Sequence, residues 1–165
     1  MNKLSLPLTR LVHENLSIVM CFAYSQGPLE KMVAETFSGE WEYLRKALFE
    51  ISTERAEKAC LELALFLRLI DEEEMISRSH AKRAHGPDFG KLVMKDDSVK
   101  VLTLREVSNK IIHSVKFEWK FSAKPSPLLI CHTRDDDKRI SEKKKWIRAE
   151  VDLVAVAAAC GQLMS

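Results

Sequence analysis

The sequence predicts a mainly α protein: a helical bundle with a small antiparallel β-meander inserted before the C-terminal helix, α+β by strict count. Apolar residues recur at helical spacing through most of residues 9–75, and the period changes to two over residues 115–121. Asp152 stands where it would cap a final apolar helix. The 165 residues, 46% of them hydrophobic, suit one core, so we expect residues 1–165 to form a single domain.

The first half of the chain is predicted to be helical. Leu11, Val12 and Ile18 begin an apolar face that indicates a helix over residues 9–26. The dipeptide Gly27-Pro28 is typical of a chain break, which predicts a second helix over residues 28–37 with proline in its tolerated first turn.

Residues 40–75 continue the helical pattern. The sequence Ser52-Thr53-Glu54 could break it and cap a new helix, so the pattern allows two antiparallel helices or one long kinked helix. Residues 71–98 are polar and carry Gly and Pro, which favours a loop or a short helix end.

The second half is predicted to combine a short helix, three strands and a last helix. The helical pattern returns at Val101, and Thr103 and Glu106 form a capping box that begins a helix over residues 103–113. The meander covers residues 115–151, and its third strand, over residues 144–151, could alternatively be part of one long helix from Ser141. Asp152 favours the strand, followed by a helix over residues 153–163. That helix is rich in small side chains, which suit a tight place in the core or a contact between subunits.

Composition indicates the cellular setting. The longest apolar stretch, Leu153 to Cys160, is far shorter than the roughly 20 residues of a membrane-spanning helix, so we expect no membrane association. The beginning of the sequence lacks the pattern of a secretory signal, which predicts a cytoplasmic address. The cysteines are far apart and stand mostly among apolar neighbours, so we expect them to be reduced and buried. They are Cys21, Cys60, Cys131 and Cys160.

One helix carries the residues best suited to chemistry. Arg105, Asn109 and His113 are spaced i, i+4 and i+8, which places them in one polar stripe beside an apolar helix face. Arginine can hold a phosphate with two hydrogen bonds, and histidine can transfer a proton near neutral pH. The same stripe could equally be structural, with Arg105 paired to an acid on the surface, Asn109 bonded across to the neighbouring strand and His113 capping the helix.

The segment Asn109-Lys110-Ile111-Ile112-His113 resembles the signature of the higher eukaryotes and prokaryotes nucleotide-binding (HEPN) superfamily. That resemblance implies a helical bundle, often dimeric, that binds RNA or cleaves it without metal. It also implies that His113 acts as general acid or base, Arg105 stabilises phosphate charge and Asn109 orients one of them. The chain departs from the signature at Ser108, where the family places arginine, so the site could be catalytically degenerate.

Other features bear on partners. Residues 1–80 carry a net charge of −4 and residues 81–165 one of +6, which is mild support for a polyanionic partner such as RNA. Lys143, Lys144 and Lys145 could contact a phosphate backbone, and Trp146 could stack on a base; a charged hairpin tip with a buried tryptophan is the structural alternative.

Metal or cofactor chemistry has little support in the sequence. His80 and His85, or the adjacent Cys131 and His132, match no standard zinc spacing, and no phosphate-binding glycine loop occurs. We therefore expect no metal and no small-molecule cofactor. Two hypotheses follow: a HEPN-like RNA-binding protein or ribonuclease acting as a homodimer, or a non-catalytic interaction and oligomerisation module.

Overall fold

The computed structural model describes residues 5–36, 42–74, 88–133 and 145–164. The α-helices in chain order are α1 (Ser5–Thr36), α2 (Glu42–Arg45), α3 (Ser52–Glu74), α4 (Leu104–Ile112) and α5 (Leu153–Gly161). A π-helix, Lys46–Ile51, joins α2 to α3, and a 3₁₀ turn, Gln162–Met164, follows α5. The strands are β1 (Gly90–Met94), β2 (Val99–Val101), β3 (Lys116–Lys120), β4 (Leu128–His132) and β5 (Trp146–Asp152). The mainly α prediction with a small antiparallel sheet is confirmed.

Helix α1 passes through Gly27-Pro28, so the predicted break between residues 26 and 28 is wrong. Proline disfavours helical backbone at the preceding residue because its ring meets that residue's Cβ. Gly27 has no Cβ, so this steric clash with the proline ring does not occur. The helix therefore continues over a proline that sequence alone marks as a stop.

Residues 42–74 form one interrupted helical segment, the second of the two alternatives. The irregularity is the π-helix, and Ser52 that follows it has ordinary helical backbone angles. The Ser52 hydroxyl donates to the carbonyls of Leu48 and Phe49, and Thr53 also donates to Phe49. The residues that the sequence marks as a new N-cap thus satisfy carbonyl groups beside the π-helix.

The sheet has five antiparallel strands in the order β2-β1-β5-β4-β3. The predicted meander is present as β3, β4 and β5. Strands β1 and β2 correct two expectations: residues 90–94 belong to the stretch predicted to be loop or helix end, and Val101 ends a strand instead of starting a helix. The predicted helix boundaries at the meander's two ends agree with α4 and α5 to within a few residues.

Both predicted caps are present. The Thr103 side chain accepts from the Glu106 backbone N–H while the Glu106 carboxylate accepts from the Thr103 N–H, so α4 begins with a complete capping box. Asp152 ends β5 and accepts from the N–H groups of Val154 and Ala155, which starts α5 and excludes one long helix from Ser141 through this point.

The core lies between the helices and one face of the sheet. Val19 of α1, Leu63 and Leu67 of α3, and Val107 of α4 are buried in one cluster with Val151 of the sheet. Helix α5 packs one face into this cluster, and His13 of α1 bonds the Cys160 carbonyl at 2.8 Å. Small residues of α5 therefore have a structural place within the chain.

The cysteine prediction holds for Cys60, Cys131 and Cys160, which are buried and unpaired, but it is wrong for the exposed Cys21. Cys21 lies on the solvent side of α1, although its sequence neighbours are apolar. None of the described helices is long and apolar enough to cross a membrane.

Candidate functional site

The polar stripe of α4 faces α3, and its first two residues are engaged there. Arg105 forms an ion pair with Asp71, with Nη1 and Oδ2 3.8 Å apart; the Asp71 side chain is 7% exposed and that of Arg105 58%. Asn109 accepts a hydrogen bond of 2.9 Å from Nη1 of Arg68. Arg68 also bonds Glu72, one turn along α3. The contacts of Arg105 and Asn109 join α3 to α4.

His113 differs from the other two stripe residues. It is the C-cap of α4, where its backbone N–H bonds the Asn109 carbonyl, and the residue is exposed. The structure thus brings Arg105 and Asn109 onto α3 and leaves the His113 imidazole towards solvent. Arg105 and Asn109 are thus engaged as the structural alternative expects, but Asp71 is buried and the partner of Asn109 lies on a helix instead of a strand. His113 is exposed at the end of the stripe.

The position before Asn109 is closed to solvent. Ser108 is 2% exposed, and its hydroxyl bonds the Leu104 carbonyl at 3.4 Å within the core face of α4. An arginine there would have to place its guanidinium among Leu104, Val107 and Ile111. Ser108 is therefore part of the buried face of this helix.

The structure describes only part of the basic segment of residues 143–146. Lys143 and Lys144 lie outside the described residues. The Lys145 carbonyl accepts from the Lys95 N–H at 2.9 Å, and Trp146 is 9% exposed. The Lys110 ammonium lies 4.6 Å from the centroid of the Trp146 ring, and burial lowers the pKa of Lys110. Trp146 is thus an anchor between sheet and bundle, which corrects the expectation that it presents its ring to a base.

The thiols and histidines form no obvious reactive group among the described residues. Burial raises the pKa of Cys131 and of Cys160 to about 12 and that of Cys60 well above its usual range, so these thiols stay protonated and unreactive. His132 bonds Glu118 at 3.2 Å on β3. The described residues contain no group of three metal-ligating side chains, and His80 and His85 lie outside them.

A concave site that the sequence did not indicate lies at the other end of the molecule. A cavity of about 520 Å³ is lined by α1, by the π-helix and by the turn after β3. A second hollow of about 550 Å³ shares Glu30 and Phe121 with it and also includes Trp119. Gln26, which is 3% exposed, lines the first cavity. The residues that line the first cavity come from three segments far apart in the sequence, so no short motif marks it. The π-helix is the one local feature of the lining, and the helical periodicity of the sequence does not distinguish it from an α-helix.

A third feature is an apolar stripe on the solvent side of α3. Leu61, Leu65 and Leu69 are 38%, 49% and 47% exposed. Their spacing of four residues turns by about 40° per step, so all three lie on one face. That face is opposite the buried face formed by Ala59, Leu63, Leu67 and Ile70. The core pattern predicted for this helix does not include these leucines.

Comparison of the chain with family models, with curated proteins and with solved structures finds no match.

Proposed function

We propose that this protein is a self-associating interaction module, and that a second copy of the chain docks on the leucine stripe of α3. The single observation that carries the proposal is the position of Leu61, Leu65 and Leu69. Three leucines in line at the centre of a solvent-facing helix face are unfavourable in an isolated molecule, and contiguous exposed apolar surface typically marks an interface.

The charges around the stripe favour an antiparallel pair of α3 helices. Lys58 and Glu72 lie seven residues before and after Leu65, and seven residues are nearly two whole turns. Both therefore point within about 20° of Leu65. In a two-fold pair centred on Leu65, Lys58 of one copy faces Glu72 of the other copy, at both ends of the stripe.

The α3–α4 bonds support a non-catalytic role. Arg105 and Asn109 are bonded to Asp71 and Arg68, so they stabilise the element that carries the stripe. In this function the polar residues of α4 hold α3 in place while the neighbouring leucine stripe binds the partner copy.

Replacement of Leu65 by lysine tests the proposal. We expect Leu65→Lys to place two like charges at the centre of the interface and weaken association by at least about 100-fold, roughly 3 kcal/mol. The measurement is sedimentation equilibrium over a range of protein concentrations.

Val154→Lys is the matched control, because Val154 is an exposed apolar residue on α5, 40% exposed. It should leave association unchanged. A wild-type protein that stays monomeric at high micromolar concentration would refute the proposal, and dissociation by Val154→Lys alone would move the interface to α5.

Metal-independent RNA cleavage is a second candidate, favoured by the exposure of His113 at the end of the α4 stripe. General acid–base catalysis would make cleavage depend on this imidazole, so His113→Ala should reduce it by about 100-fold or more. The measurement is cleavage of a panel of labelled RNAs in the presence of a chelator.

His132→Ala is the control, since His132 is bonded to Glu118 in the sheet. The interaction-module proposal expects no cleavage by the folded protein. Cleavage that is lost in His113→Ala and kept in His132→Ala would establish the ribonuclease instead. Arg105→Ala is less informative, because it also breaks the ion pair with Asp71.

A further inference from the structure

The 520 Å³ cavity has the composition of a ligand site. Val33 and Ala34 of α1, Phe49 of the π-helix and Phe121 after β3 supply apolar walls, and Gln26 supplies a polar group. Ligand sites typically combine mainly apolar walls with a few polar groups that fix orientation. The π-helix adds a second sign, because single π-turns within helices occur frequently at functional sites.

Gln26 is the central observation. Gln26 is 97% buried and lines the cavity, and no hydrogen bond joins its amide to another group within the described part of the chain. Asn15, the other buried amide of α1, instead bonds the Leu11 carbonyl at 3.0 Å. The fully buried side-chain groups without a partner in the described part of the chain are Trp119 Nε1 and Ser126 Oγ, so the Gln26 amide is open to the cavity. A ligand in the cavity would supply the missing partner of Gln26.

The surrounding aromatic rings favour a flat ligand. Phe121 packs parallel to Trp119 with ring centroids 6.2 Å apart, and both rings meet Phe22 edge-on. The buried indole N–H of Trp119 has no hydrogen bond of normal geometry, although it favours the charged form of Glu57, whose pKa burial raises. This N–H therefore interacts with Glu57, and it is buried away from the adjoining hollow.

A primary amide presents a donor and an acceptor side by side, which matches a ring nitrogen next to an exocyclic amino group. Glutamine forms this two-bond pairing with adenine, and aromatic rings stack on its faces. We propose that the cavity binds an adenine-like base between Phe49 and Phe121, read by the Gln26 amide. Arg45, exposed at the same cavity, is placed to pair with an attached phosphate.

The first test is a titration of the full chain with adenosine, followed by calorimetry and by NMR of the side-chain amide groups. Gln26 is one of only two glutamines, so its NH₂ signals are identified by their absence in Gln26→Met. We expect adenosine to shift these signals. Purine riboside, which lacks the amino group, should bind about ten-fold more weakly. In Gln26→Met the two nucleosides should bind equally weakly.

Asn15→Met is the matched control, because it removes another buried amide of α1 that does not line the cavity. It should leave adenosine binding unchanged. If Gln26→Met fails to fold, Ala34→Trp, which fills the cavity from the exposed end of α1, should abolish binding instead. Absence of adenosine binding, or binding unaffected by both Gln26→Met and Ala34→Trp, would overturn the proposal.

The source of the base is distinguished by parallel titrations with adenosine monophosphate and with an eight-nucleotide adenosine RNA. Tighter binding of the monophosphate, lost in Arg45→Gln and kept in the exposed Arg55→Gln, would indicate a free nucleotide. Tighter binding of the RNA would indicate a base within a single strand. Either result supports base recognition, and neither depends on self-association through α3.

Discussion

Gly90 is a residue at which the backbone leaves no room for any side chain. Its φ is +121°, and a Cβ built on it would lie 1.9 Å from the Glu150 carbonyl oxygen of β5. The Gly90 carbonyl also accepts from the Leu102 N–H at 2.9 Å, which ties the end of β2 to the start of β1. This glycine therefore allows β1 and β2, which the sequence pattern does not predict, to join the meander.

Gly90→Ala should destabilise the fold by at least about 3 kcal/mol, because it combines unfavourable backbone angles with a steric clash. Urea unfolding followed by circular dichroism measures the change. Gly161→Ala is the matched control, since nothing lies within 4 Å of its Cβ position, and should change stability by less than about 1 kcal/mol. Equal stability of Gly90→Ala and wild type would contradict the close approach of β1 to β5.

For a single residue, the sequence predicts the role of the side chain only where the evidence lies in neighbouring residues of the same helix or strand. The spacing of Arg105 and Asn109 indicates one polar face of α4, whereas His113 is the C-cap that follows the helix. Their partners were not predictable, because Arg68 and Asp71 lie more than 30 residues earlier in sequence. The unpartnered amide of Gln26 was equally invisible, since burial without a partner is a property of the packed chain.

At the scale of whole elements, the predictions succeeded where one periodicity and one cap agree. Helix α4 has both an apolar face and the Thr103–Glu106 capping box, and Asp152 separates β5 from α5. The predictions were wrong where packing overrides local sequence rules. Helix α1 continues through Pro28, and the three-residue strand β2 is stabilised by pairing with β1. A strand this short carries too little periodicity to be recognised from sequence.

At the scale of the molecule, α3 separates two environments. Its buried face packs against α1, and the leucine stripe lies opposite that face. Arg68, at the edge of the stripe, bonds α4. Self-association through that face would leave the cavity of Gln26 accessible from the side of α1 and the β3 turn. The two proposals therefore assign separate surfaces, so that ligand binding and assembly can be altered independently by mutation.

The antiparallel register of the proposed pair gives a test that uses charge reversal. Lys58→Glu alone should weaken association, because the introduced carboxylate would face Glu72 of the second copy, and Glu72→Lys alone should do the same through Lys58. The double variant restores an opposite pair at both ends and should recover most of the affinity. A parallel pair would place Lys58 opposite Lys58, so each single change would leave like charges opposite each other and the double variant would gain nothing specific. Sedimentation equilibrium of the four proteins at low salt, where such pairs are screened least, distinguishes these arrangements.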